Sequence, residues 1–171
     1  MKNTVFIAIM LLMGFQAEAQ TKIGHINSQE LLDTLQSRKD AMAKLKEFES
    51  EGVRELQEMN KAFESAYLRY QQNEKDWSPV IQKMEQEKLM KKQQGLETRQ
   101  TELEQQMQIY GQELNKPILD LVQTAVNNIA ESKKVSYVLD ETVTLYSKGG
   151  IDMTQEVMTE LLRLEAALKA E

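Results

Sequence analysis

The sequence predicts an α+β protein: a small β-sheet body that oligomerises, with one long, projecting α-helical hairpin. Three observations lead there. Between about Lys39 and Asn115 the chain is dominated by Glu, Gln, Lys, Met, Leu and Ala, mostly good helix formers, with apolar residues at steps of three and four. On either side lie short segments rich in β-branched and aromatic residues, the composition of strands. The flanks, residues 20–38 and 115–171, together make a body of only about 76 residues, and a core that small buries only about 60% of its surface. Self-association is the simplest source of further burial.

The N-terminal stretch lies outside that fold. Lys2 gives a positive start, Val5 to Phe15 is an unbroken apolar run, and Ala17-Glu18-Ala19 places small residues at the cleavage-defining positions. That order is expected of a secretory signal peptide over residues 1–19, cut between Ala19 and Gln20. The run is too short for a spanning helix, which needs about 20 apolar residues. No later stretch is apolar enough to span a bilayer, so a soluble mature chain is expected. With no cysteine in the sequence, a lipid anchor, disulfides, thiolate catalysis and cysteine–metal sites are all excluded. The formal net charge of −6 is unchanged by loss of Lys2 and Glu18, and it argues against a nucleic-acid partner.

The helical stretch divides in two. Its first half places Ala41, Leu45, Phe48, Gly52, Leu56, Met59, Phe63, Ala66 and Tyr70 on one helix face. Its second half places Leu89, Gln93, Leu96, Gln100, Leu103, Met107, Tyr110 and Leu114 in heptad spacing, which predicts a weakly pairing seam with two glutamines in it. Residues 73–79 interrupt the pattern, with Ser78 placed to cap a helix and Pro79 suited to its first turn. The spacing predicts a hairpin arm over 39–114 with its tip near 73–79, each limb about 50 Å long at about 1.5 Å per residue.

The flanks predict the body. Ile23 to Asn27 reads as a strand leading into a helix from about Ser28. Pro117 is expected to open or kink a helix with Ile118, Leu121, Val122, Ala125 and Ile129 on one face. Val135 to Asp140 and Thr142 to Ser147 are expected to be strands, and Gly149-Gly150 a turn. Asp152 or Thr154 then caps a closing helix with Val157, Leu161, Leu164 and Leu168 on its apolar side.

Chemistry is poorly represented. His25 is the sole histidine, and the sequence nominates neither a nucleophile for it nor a carboxylate to orient it, so it reads as a strand residue in an oligomer core. Glu85 and Glu87, or Glu102 and Glu104, lie two apart and share no helix face. No phosphate-binding glycine loop is present. No catalytic residue, metal or cofactor is expected.

Three stretches carry a resemblance: Ile23-Gly24-His25-Ile26-Asn27, Val135-Ser136-Tyr137-Val138-Leu139-Asp140 and Ile151-Asp152-Met153-Thr154, ordered around the helical insertion. With the signal peptide they make the whole mature chain resemble the Skp/OmpH family of periplasmic chaperones. The resemblance implies a homotrimer with its sheet body at the threefold axis and three hairpin tentacles around a cavity. It further implies that unfolded outer-membrane β-barrel proteins are held there without ATP. The best-known members are basic, whereas residues 39–115 hold twelve basic and fifteen acidic residues. That departure argues against lipopolysaccharide binding, and the Lys83, Lys88, Lys91 and Lys92 cluster, offset by Glu85 and Glu87, reads as a solvated face.

Phe63, Tyr67, Tyr70, Trp77, Met84 and Tyr110 are the candidate client-binding residues. The aromatics among them exceed what a two-helix seam needs, and methionine suits adaptable surfaces; the competing reading is ordinary helix packing. The competing function is a structural coiled-coil spacer or adaptor of the envelope. A spacer wants a continuous apolar seam, and Gln93, Gln100, Gly52, Gly95 and Gly111 are arguments for the holdase instead.

Overall fold

A computed structural model describes residues 22–146 and 149–170. Its elements, in order, are β1 (Ile23–Ile26), α1 (Ser28–Thr34), α2 (Gln36–Asn73), α3 (Pro79–Lys133), β2 (Tyr137–Asp140), β3 (Ile151–Asp152) and α4 (Thr154–Leu168). The expected signal peptide, Ala19 and Gln20 lie outside the described residues.

The sheet is parallel throughout, with β1 in the middle and the order β2-β1-β3. Parallel neighbours need a long crossover, and between β1 and β2 the crossover is α1 and the entire hairpin. Gly24 and Ile26 of β1 are buried beneath the helices, while Ile23 is exposed on the opposite face with Tyr137 and Leu139 of β2. The core lies wholly at the base of the arm, where Ile26, Leu31, Leu35, Ile118, Met153, Val157 and Leu161 pack together. Along the arm beyond Ala41 only Gly52 and Leu103 are fully buried.

Short polar links stitch the body. Asn27 caps α1 by accepting from the Glu30 N–H at 3.1 Å, and its own N–H donates to Thr154 Oγ1 at 3.1 Å. The Ser28 hydroxyl donates to Asp140 Oδ2 at 2.5 Å, tying the start of α1 to the end of β2. Gly150 lies against the His25 ring; a Cβ there would come within 2.6 Å of His25 Cδ2. The expected glycine turn is therefore also a place of close approach.

Several expectations are corrected. Of the expected strand Thr142 to Ser147, the described residues, Thr142 to Tyr146, form none, and Ser147 lies outside the described residues. Asp140 accepts from the Thr142 N–H at 3.0 Å and the Thr144 hydroxyl donates to the Asp140 carbonyl at 2.7 Å, so the chain turns into a 3-10 helix over Glu141–Val143. The third strand is the two-residue β3. Pro117 opens no helix, because α3 runs unbroken through it from the arm into the body. On α4, Val157 and Leu161 are buried as expected and Leu168 is exposed, but neither Asp152 nor Thr154 is the cap: Met153 holds the N-cap position without a side-chain acceptor, Thr154 is the first helical residue, and Asp152 accepts from its N–H at 2.9 Å.

Candidate functional site

The arm is two helices meeting along a shallow seam. From α2, the predicted stripe from Ala41 to Tyr70 is the face turned inward, and every member is buried or half-buried. From α3, Leu89, Leu96, Leu103, Met107, Tyr110 and Leu114 face inward, but Gln93 and Gln100 do not. Both glutamines are exposed and bond along their own helix, Gln93 to Glu97 at 3.2 Å and Gln100 to Glu104 at 3.4 Å. A strict heptad drifts against the 3.6-residue turn of a straight helix; here Gly95 and Arg99 fill the inward positions instead. The seam's polarity thus comes from charge. Arg99 reaches Glu55 at 2.8 Å, and Arg69 reaches Glu85 at 2.6 Å, where Lys88 also binds at 2.6 Å. The Arg99 hydrogen bond holds the Glu55 carboxyl below its ordinary value, and Lys88 with Arg69 does the same for Glu85.

Gly52 is no weak point. It is the hole into which Leu103 inserts, and a Cβ there would meet Leu103 Cδ2 at 2.6 Å. Gly52 therefore tightens the seam and does not favour a holdase over a spacer.

The tip is built as its sequence specifies. Ser78 caps α3 by accepting from the Ile81 N–H at 3.5 Å, with Pro79 as the first helical residue. The Gln82 amide donates to the Glu74 carbonyl at 2.6 Å and to that of Trp77 at 3.3 Å, closing the turn.

The six candidate residues divide among three settings. Phe63 is half-buried in the seam and stacks on Tyr67 with ring centroids 6.3 Å apart, whereas Tyr67 itself is 46% exposed. Tyr70 and Trp77 are half-buried and meet edge to face at 5.8 Å, fastening α2 to the tip. Met84 is 53% exposed. Tyr110 lies far from these, half-buried against Phe48 at 5.3 Å. Sequence reasoning passed over Leu68, Val80 and Ile81, which with Met90 are exposed apolar side chains of the distal arm. Their signal was apolarity at positions outside the seam stripe. It also passed over the exposed apolar group on the body: Ile23, Tyr137, Leu139, Val143, Leu145 and Tyr146.

His25 Nδ1 lies 2.5 Å from Glu141 Oε1. Among the described residues there is no cluster of His, Cys, Asp or Glu that could hold a metal ion, and no helix long and apolar enough to cross a membrane.

Comparison with known proteins is consistent in direction. Residues 22–161 match the sequence model of the family described as Outer membrane protein (OmpH-like). Outer membrane protein 26 of Haemophilus influenzae is 40% identical over 50 residues, which is 29% of this chain and 25% of that relative. The match thus spans about a quarter of the relative's length. The crystal structure of an OmpH-like outer membrane chaperone from Caulobacter crescentus superposes with a TM-score of 0.72 at 15% identity, covering 91% of this chain and 90% of the other. At that identity the likeness is one of fold.

Proposed function

This chain belongs to the OmpH-like outer membrane protein family, and from that premise we propose that it is an ATP-independent periplasmic holdase for unfolded outer-membrane β-barrel proteins. One observation carries the reading. The distal arm presents Tyr67, Leu68, Val80, Ile81, Met84 and Met90 to solvent on a helical hairpin whose own core has been left at its base. An unfolded β-barrel chain offers alternating apolar side chains over a long length. Holding it without folding it calls for many shallow contacts on an extended, adaptable surface rather than one pocket.

Trimer formation belongs to the same proposal. The outer sheet face with Ile23, Tyr137 and Leu139, continued by Val143, Leu145 and Tyr146, is an exposed apolar group on the body, and such patches mark association sites. Three bodies joined there would carry three arms.

Recovery of the tagged chain from envelope extract, with identification of what accompanies it, tests the function. A varied set of outer-membrane β-barrel proteins is the expected result. A single stoichiometric partner would instead establish the structural spacer.

A further inference from the structure

Helix α2 starts without a cap of its own. Its N-cap position is Leu35, a fully buried leucine with extended backbone (φ −71°, ψ 129°) and no side-chain acceptor. A helix start leaves backbone N–H groups unsatisfied, and normally a Ser, Thr, Asp or Asn at that position accepts one. Here the acceptor comes from the far end of the chain. Glu165 of α4 receives the Ser37 N–H at 2.6 Å.

Glu165 is only 7% exposed, an unusual place for a carboxylate. Burying a charge is unfavourable unless hydrogen bonds and opposite charge compensate it. The compensation is local: the α2 start, whose dipole favours a negative charge, and Lys169 Nζ at 3.7 Å. The site forms one wall of a groove of about 320 Å³ whose apolar lining includes Ala41, Leu114, Ile118 and Leu168. Asp40, Lys44 and Glu113 are the other charged groups along it.

We propose that Glu165 is a positioning residue: its carboxylate latches the root of α2 to α4 and thereby fixes the angle at which the arm leaves the body. Leu35 is the single non-helical residue between α1 and α2, so rotation about its backbone would swing the arm while α1 stays packed. The other limb cannot act as the hinge, because α3 continues unbroken into the core. α4 grips that limb as well, through Glu160 to Asn128 at 2.7 Å and Glu156 to Lys133 at 2.6 Å. One helix therefore holds both limbs, and at the α2 root its hold is the Glu165 carboxylate. The inference concerns arm geometry and stands whatever the arm binds.

The absence of native cysteine makes the test direct. Spin labels at Lys75→Cys on the tip and Thr159→Cys on the body report one distance, with labelled chain diluted into unlabelled chain so that any assembly carries a single pair. Glu165→Gln removes the charge and keeps the shape; Glu165→Ala removes the acceptor. Both should broaden the tip-to-body distance distribution, the alanine more. Amide exchange at residues 36–38 should accelerate about tenfold, the effect of losing a charge-assisted cap, with β1 and the seam around Leu103 unchanged. An unaltered distribution in both variants defeats the proposal. So does acceleration spread equally through the sheet, since Glu165 would then hold the body together rather than set the arm. The parent chain decides independently of any variant: a Ser37 amide exchanging there at an unprotected rate means no latch exists.

Discussion

Gly52 and Leu103 show what single residues decide in this arm. Replacing a helical glycine by alanine ordinarily gains up to about 1 kcal/mol of helix propensity. At Gly95 and Gly111 the new methyl group would find only ordinary contacts, the nearest atoms being Met59 Cε and Leu45 Cδ2, each at 3.8 Å. Gly95→Ala and Gly111→Ala should therefore raise the thermal midpoint followed by circular dichroism. Gly52→Ala should lower it, because overpacking against the buried Leu103 costs about 1–3 kcal/mol and outweighs the propensity gain. Equal gains at all three sites would mean that Leu103 is free to move aside. Carboxylates give a second prediction at this scale. Burial alone would raise Asp140, yet the Ser28 hydroxyl and the Thr142 N–H bring it below its ordinary value; the Thr154 N–H lowers Asp152, and Arg163 with Asn128 takes Glu160 down to about 2. A carboxyl depressed in the folded state stabilises it above the unfolded pKa, and that contribution fades as pH falls through the folded value. The thermal midpoint should be flat from pH 7 to about 5.5 and fall steadily below about pH 4.5. An Asp140→Asn variant should show a shallower fall, and a slope identical to the parent's would remove Asp140 from the account.

Among the elements, the arm was the most legible because its evidence is local. The α2 stripe, the break at 73–79, the Ser78 cap and Pro79 at the first helical position all follow from spacing and backbone chemistry within a few residues. The α3 seam is legible only in part: a heptad template puts Gln93 and Gln100 inward, but nothing in a one-dimensional pattern shows that Arg99 has Glu55 to reach. The body was harder. Thr142 to Ser147 has strand composition, and the Asp140 turn that ends the strand depends on a side-chain bond that composition does not encode. The candidate surface was legible only in part, since residues such as Tyr70 and Trp77 fasten the tip while equally apolar Val80 and Ile81 stand in solvent. That division separates two variants. Tyr67→Ser with Met84→Ser should weaken suppression of client aggregation, followed by light scattering, while helix content and assembly size stay as in the parent. Tyr70→Ser with Trp77→Ser should also lower the thermal stability of the hairpin, because the edge-to-face contact is lost. With three more acidic than basic residues in the arm, moderate salt should change protection little. Full protection by the Tyr67/Met84 variant, or its abolition by salt, would remove the apolar-contact account.

At the level of the entire chain the division of labour is spatial: burial is concentrated at the base, and beyond Ala41 the arm has a half-buried seam in which only Gly52 and Leu103 are fully buried. The body has neither a disulfide nor, among its described residues, a metal-binding cluster, and a core of its size gains from added contact. The sheet's outer face supplies the apolar area for that contact, and Leu145 stands wholly exposed beside it. If the face joins protomers, assembly should survive loss of most of the arm. Gly52 and Leu103 face one another across the seam, so a short glycine-serine turn replacing residues 52–103 closes the hairpin without disturbing Ala41, Leu114 or Ile118 at its root. That shortened chain should give the same number of protomers by light scattering as the full chain. Leu139→Asp with Leu145→Asp in the full chain should instead yield monomers that keep their helix content, because two charges buried without partners outweigh the apolar area gained on association. A monomeric shortened chain beside an unaffected double aspartate variant would transfer the interface to the arms.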